Sequence, residues 1–279
     1  MAESLLRLYP DSPRECRLEG RFLDHDLRRY GRPGSPFVYS NFIASLDGRV
    51  ARPDPVTGRR TVPPSIANQR DWRLFMELVA QADVLLASDR LLKAIAAGRH
   101  TALIDLEASG LEDLVQWRQE RGLVRQPALA TVSRDLDLPA PDLAARYTRE
   151  ILVITSSHAP PDRVTALERG GVEVVRAGPG PYVEAADMVS NLGRRGYNLI
   201  YSLAGPRMLH TLAAGDRLDR LYLTVAHKLL GGEDFNSLLR GPALDPARGF
   251  EPVELYWDPL APEGAGQLIE VLDAVRGEA

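Results

Sequence analysis

The chain has 279 residues, enough for one large α/β domain or about two smaller ones. Apolar side chains make up 44% and charged ones 26%, which excludes disordered, fibrous and collagen-like classes. Basic and acidic residues number 34 and 38, a net charge of −4 that argues against a protein working by neutralising nucleic-acid phosphates.

Cys16 is the one cysteine, so the chain has neither an internal disulfide nor a CxxC pair for zinc, in keeping with a reducing, cytoplasmic setting. The histidines stand singly at 25, 100, 158, 210 and 227 without HxxxH or HExxH spacing, so no metal site is expected. The first residues lack the apolar run of a signal peptide, and no stretch approaches the roughly 18 apolar residues of a membrane span.

Residues 1–36 read as a polar N-terminal arm or linker ending in Arg28-Arg29-Tyr30-Gly31-Arg32-Pro33-Gly34-Ser35-Pro36, whose basic cluster is either a solvated arm or a phosphate contact. The domain proper is expected over 37–279. Phe37 to Ser45 is rich in β-branched and aromatic residues and reads as a buried strand, with Ser45-Leu46-Asp47-Gly48 as its exit turn. After a Pro/Gly-rich loop, Ser65 is the expected N-cap of a helix ending near Gln81, where Trp72, Phe75, Met76 and Val79 recur at helical spacing. Val84 to Ala87 predicts a strand, Leu111 to Arg121 a helix and Ala128 to Val132 a strand. From Ile151 the alternation is regular: strand 151–155, helix 161–169, strand 172–175, helix 182–194 and strand 199–203. Strands separated by helices predict a mostly parallel sheet covered on both faces. Leu221 to Ala226, Phe250 to Tyr256 and Leu268 to Leu272 lack intervening helices and read as an antiparallel edge.

Three stretches can carry chemistry. Asn198 to Leu209 runs a buried strand through a small-residue turn into a helix opened by Pro206 and closed by Gly215. Backbone N–H groups and the positive helix end then face the sheet's carboxyl edge, where phosphates bind; a ligand-free tight turn is the alternative. Asp47 beside Gly48 either handles a proton in a ligand crevice or serves as ordinary turn chemistry. Gly231-Gly232 after a hydrophobic strand allows close backbone approach to a ligand, with Lys228 near a phosphate, or simply ends the strand. Ser156-Ser157-His158 puts a hydroxyl beside an imidazole, but adjacent strand residues face opposite ways. Walker A, GxGxxG and GxSxG patterns are absent from the sequence.

In this order the segments resemble the RibD C-terminal family, the reductase domain of riboflavin biosynthesis. The resemblance rests on Asn41-Phe42-Ile43-Ala44-Ser45-Leu46-Asp47-Gly48-Arg49, on Asp71 to Phe75 with Ala80 to Leu86, and on Leu203-Ala204-Gly205-Pro206 with Asp219 to Leu223 and Lys228 to Gly232. It implies a dihydrofolate-reductase-like α/β fold: a mostly parallel central sheet, helices on both faces and an antiparallel C-terminal edge. It implies hydride transfer from NADPH, with NADH as the alternative, to a pyrimidine- or pteridine-like substrate, and a homodimer without nucleic-acid or membrane partners. Ile43 would flank the nicotinamide, Gly205, Pro206, Arg207 and Met208 would cradle the diphosphate, and Ser88 and Gly231 would complete the cofactor side. Asn41, Ser65 and Leu203 would meet substrate, and Asp47 would sit at the reacting centre.

The chain departs from the family pattern at three places. Leu203 and Ala204 replace the Glu-Gly of EGGP, Val79 replaces an arginine, and Ser88-Asp89-Arg90-Leu91 replaces a GAGT loop. Leucine removes an acceptor for ring N–H donors, and valine removes a bidentate phosphate grip. Two readings therefore stand: an active reductase, or a catalytically inactive relative that binds a nucleotide or protein partner. An open crevice beside Gly205 favours the first and one filled by Arg90 the second. A nucleic-acid reading through Arg28, Arg29 and Arg32 ranks third.

Overall fold

The structure is a computed structural model and describes residues 4–97, 104–139 and 149–276. It opens with a hairpin, β1 (Ser4–Tyr9) and β2 (Arg14–Arg17), followed by 3-10 turns at Leu23–His25 and Leu27–Arg29. Strand β3 (Phe37–Ser45), a small ribbon of β4 (Arg52–Pro53) and β5 (Arg60–Thr61), helix α1 (Gln69–Gln81) and strand β6 (Val84–Ser88) come next. Helices α2 (Asp89–Ala96) and α3 (Glu112–Glu120) precede β7 (Ala128–Val132) and β8 (Ile151–Thr155). Then α4 (Pro161–Arg169), β9 (Glu173–Arg176), α5 (Ala185–Arg194), β10 (Leu199–Ser202) and α6 (Pro206–Ala214) alternate. Strands β11 (Arg220–Ala226), β12 (Gly249–Asp258) and β13 (Gln267–Val275) complete the chain.

Among the described residues eleven strands form one sheet in the order β2-β1-β12-β13-β11-β3-β10-β6-β7-β8-β9. The seven from β11 to β9 are parallel, and β13, β12, β1 and β2 continue antiparallel. Because successive strand residues face opposite ways, the sheet feeds two cores. Tyr39, Leu85, Leu129, Val153 and Tyr201 pack with Leu74 and Leu78 of α1 and Leu114 of α3 on one face. Val38, Val84, Leu152 and Ile200 pack with Met188 and Leu192 of α5 and Leu209 and Leu212 of α6 on the other. This is the α/β architecture expected from the alternation.

Three expectations change. Residues 4–29 are not a free arm: β1 and β2 form the outer antiparallel edge, and Leu5, Phe22 and Leu27 are buried. Their backbone is held by polar residues on the buried side of α1. Glu77 accepts from the N–H of Gly20 at 2.6 Å and Phe22 at 2.9 Å, and Gln81 accepts from Leu27 N–H at 2.9 Å. The basic cluster is tied down as well, with Arg28 paired to Asp83 at 2.7 Å and Arg29 lying over the Tyr30 ring. Ser65 does not cap α1. Residues 63–67 turn on the Pro63 carbonyl, and Asn68 caps instead, accepting from the N–H of Arg70 and Asp71. Strand β11 pairs antiparallel with β13, as expected of the C-terminal edge, but it is also the junction with the parallel part, pairing parallel with β3 because α6 carries the chain back across the sheet before it.

Candidate active site

The carboxyl ends of β11, β3, β10 and β6 lie side by side, and each gives way to a turn carrying one of the sequence candidates. Crevices at such edges take ligands in open parallel sheets.

After β10, the N–H groups of Leu203 and Ala204 both donate to the Leu86 carbonyl, pinning the turn to β6. Gly205 then serves as N-cap of α6 with no side-chain cap, and Pro206 opens the helix. Among the described residues the N–H groups of Gly205 and Arg207 meet no acceptor, and a Cβ on Gly205 would meet nothing within 4 Å. Gly205 and Arg207 are exposed. The expected four-residue cradle is thus narrower than its sequence suggests. Pro206 has no N–H, and the N–H of Met208 donates to the Gly205 carbonyl at 2.9 Å, with the Met208 side chain against the α5/α6 core. Two free amides and the helix dipole remain for an anion.

Ser88 is engaged locally. Its hydroxyl accepts from Leu91 N–H at 3.3 Å and caps α2, while the Asp89 carboxylate accepts from Arg90 N–H at 2.7 Å. Arg90 is exposed, and the open space at Gly205 is not filled by it.

Asp47 joins two turns. Its carboxylate accepts from Ser45 Oγ at 2.5 Å, Gly231 N–H at 2.7 Å and Leu230 N–H at 3.2 Å, and pairs with Arg49 at 3.3 Å. The Ser45 hydrogen bond first, then the Gly231 and Leu230 amides and the Arg49 charge, hold its pKa down to about 2. It stays ionised at neutral pH. Gly231 takes a left-handed φ of +60°, which glycine adopts freely. Lys228 pairs with Glu263 at 2.8 Å. The following loop returns to α6: Asn236 exchanges backbone hydrogen bonds with Val50 and Ala51, and Arg240 N–H donates to the Pro206 carbonyl.

The substrate-side candidates lie on the α1 face. Asn41 Oδ1 accepts from the Tyr201 hydroxyl at 2.5 Å, and the Tyr201 ring stacks on Tyr39 with centroids 4.8 Å apart. Ile43 is buried with Ile66 and Ala226, and Leu203 packs half-buried against the core beneath α1. Ser65 is exposed, one residue before Ile66. The structure therefore gathers Asn41, Ile43 and Leu203 on one face, with the opening of α6 on the other side of the same edge.

Sequence reasoning missed Asp71. It is buried in the first turn of α1, where Thr224 Oγ1 of β11 donates to it at 2.6 Å. Its signal was present: Asp71 shares the buried stripe of Leu74, Leu78 and Gln81, an acid at a core position.

The family profile described as the RibD C-terminal domain matches residues 36–253, and the chain belongs to that family. No curated protein sequence matches it significantly. Among solved structures it is similar to a pyrimidine reductase-like protein of Corynebacterium diphtheriae, at 21% identity over 88% of this chain and 94% of that one, with a TM-score of 0.60. The riboflavin biosynthesis reductase of Saccharomyces cerevisiae is 13% identical over 92% and 99% of the two chains, TM-score 0.55. The diaminohydroxyphosphoribosylaminopyrimidine deaminase/5-amino-6-(5-phosphoribosylamino)uracil reductase of Thermotoga maritima is 13% identical, TM-score 0.53; the match covers 91% of this chain and 60% of that protein. At these identities the structures speak for the fold.

Proposed function

We propose that the protein is a nicotinamide-dependent reductase acting on a pyrimidine- or pteridine-like small molecule, with NADPH as donor and NADH as the alternative. The observation that carries this reading is the uncapped, open start of α6 at the sheet's carboxyl edge, where the Gly205 and Arg207 amides and the Arg207 cation suit a dinucleotide diphosphate. Family membership supports the same chemistry.

Bound along this edge, such a cofactor supplies a hydride to an electrophilic carbon. The chain's part is binding and orientation. Ile43, with Ile66 and Ala226 behind it, forms an apolar wall for a ring, and the Asp47 clamp holds the Gly231 turn beside it. Leu203 offers no acceptor to ring N–H groups, so polar recognition on the substrate side falls to Asn41, whose carbonyl oxygen is already engaged by Tyr201 and whose amide N–H groups remain as donors. That arrangement favours a substrate presenting carbonyl acceptors.

Titration of the protein with NADPH and NADH, followed by cofactor fluorescence, tests the reading. Saturable binding together with substrate-dependent NADPH oxidation is expected, and no binding at millimolar cofactor overturns it. The inactive-relative reading draws on the Asp89 carboxylate beside the Ser88 cap at the start of α2, a position unfriendly to a second phosphate. Binding without oxidation of NADPH by any pyrimidine or pteridine would establish that alternative.

A further inference from the structure

NADPH and NADH differ by a phosphate on the 2′-hydroxyl of the adenosine ribose, and the order of strands along the edge fixes where that ribose falls. Strand β3 lies on one side of β10 and β6 on the other. With the diphosphate at the start of α6, after β10, and the nicotinamide beside Ile43 on β3, the adenosine half runs over β6. Neighbouring strands lie about 4.8 Å apart, roughly the step from a diphosphate to its ribose. The register makes the meeting specific: Ser202 of β10 pairs with Leu86 of β6, so Gly205 and Asp89 each stand three residues past a paired position. The bonds from Leu203 and Ala204 N–H to the Leu86 carbonyl hold the two turns together.

The two helix starts offer different chemistry. At α6 the Gly205 and Arg207 amides are free, whereas α2 consumes its own: Leu91 N–H donates to Ser88 Oγ at 3.3 Å and Arg90 N–H to Asp89 Oδ1 at 2.7 Å. The cations around Asp89 are matched as well. Lys93 pairs with Asp137 at 3.0 Å and feels the charges of Asp89 and Asp135, and with the exposed Arg90 and Arg134 it makes three cations against three carboxylates. A 2′-phosphate carries close to two negative charges at neutral pH, so it finds no surplus of positive charge here and meets the Asp89 carboxylate. These residues do not fit it. A bare ribose presents a 2′-hydroxyl instead, a donor that a carboxylate at this place accepts.

We propose that Asp89 selects NADH over NADPH, accepting the ribose 2′-hydroxyl and repelling a 2′-phosphate, an inference that rests on the reductase reading above. The same carboxylate that is unfriendly to a second phosphate is then a feature of an active enzyme with the unphosphorylated donor.

Fluorescence titration of the full chain with NADH and with NADPH, on the wild type, Asp89→Asn and Arg90→Ala, tests this. Asparagine keeps an oxygen for the Arg90 N–H, so the start of α2 is retained while the charge is lost. The wild type is expected to bind NADH about tenfold or more tightly than NADPH. Asp89→Asn should weaken NADH, strengthen NADPH and move the ratio of the two affinities by about tenfold toward NADPH. A wild type that prefers NADPH, or an Asp89→Asn ratio equal to that of the wild type, overturns the assignment and leaves the reductase standing. In the first case, loss of that preference in Arg90→Ala would identify Arg90 as the phosphate's partner in place of a repelling Asp89. A wild type that binds neither cofactor at millimolar concentration overturns the reductase reading and the selection with it.

Discussion

The carboxylate of Asp47 accepts the backbone N–H of Gly231 at 2.7 Å, across 184 positions of sequence. With the Leu230 amide and Ser45 hydroxyl on the same group, the turn after β3 and the glycine turn after β11 form one unit. Asp47→Ala should therefore free the 229–232 turn, weaken NADPH binding several-fold and create a proteolytic cut there. Limited proteolysis and fluorescence titration read the two effects. Because the carboxyl is held to about 2, cofactor affinity in the wild type should show no inflection from this residue between pH 5 and 8.

Gly205 separates folding from binding. Its φ of −69° suits any residue, and its Cβ position is open. Aspartate is a strong N-cap, so Gly205→Asp should leave thermal stability unchanged or raised by roughly a few tenths of a kcal/mol. The same carboxylate would occupy the free amides and repel a diphosphate, lowering NADPH affinity by about tenfold or more. A variant that binds NADPH as tightly as the wild type would refute the diphosphate position.

Glu77 is fully buried and bonded to Arg73 at 2.7 Å as well as to the Gly20 and Phe22 amides. Glu77→Ala would orphan those amides and loosen the edge hairpin. A loss of about 3 kcal/mol in denaturant unfolding is expected. Hydrogen exchange should rise first across residues 4–29.

At Gly241 a Cβ would collide with the His210 imidazole, whose Nε2 sits 2.8 Å from the Pro242 carbonyl. Gly241→Ala should push the loop off α6, disturb the Arg240 to Pro206 contact and reduce both melting temperature and cofactor affinity. Differential scanning calorimetry with and without NADPH checks both.

Much of the scaffold was legible because its signals are local. Strands 151–155 and 128–132 and helix 161–169 have the expected bounds, since an unbroken β-branched run or a proline-opened, glycine-closed segment specifies itself over a few residues. The strand-to-helix turn at Gly205-Pro206 was found the same way. Ser65 failed as a cap because two competent caps lie three residues apart, and the Pro63-Pro64 turn chose Asn68.

By itself, the sequence determined the alternation of strand and helix, the family and the carboxyl-edge turns, all properties of neighbouring residues. Only the tertiary structure decided that residues 4–29 close the sheet and that Met208 has no free amide to offer. The same holds for Asp47 clamping a glycine turn and for Asp71 meeting Thr224 across 153 positions. The physical reason is that hydrogen-bond satisfaction and desolvation depend on which distant groups arrive beside a side chain, and a linear pattern carries no record of those distances.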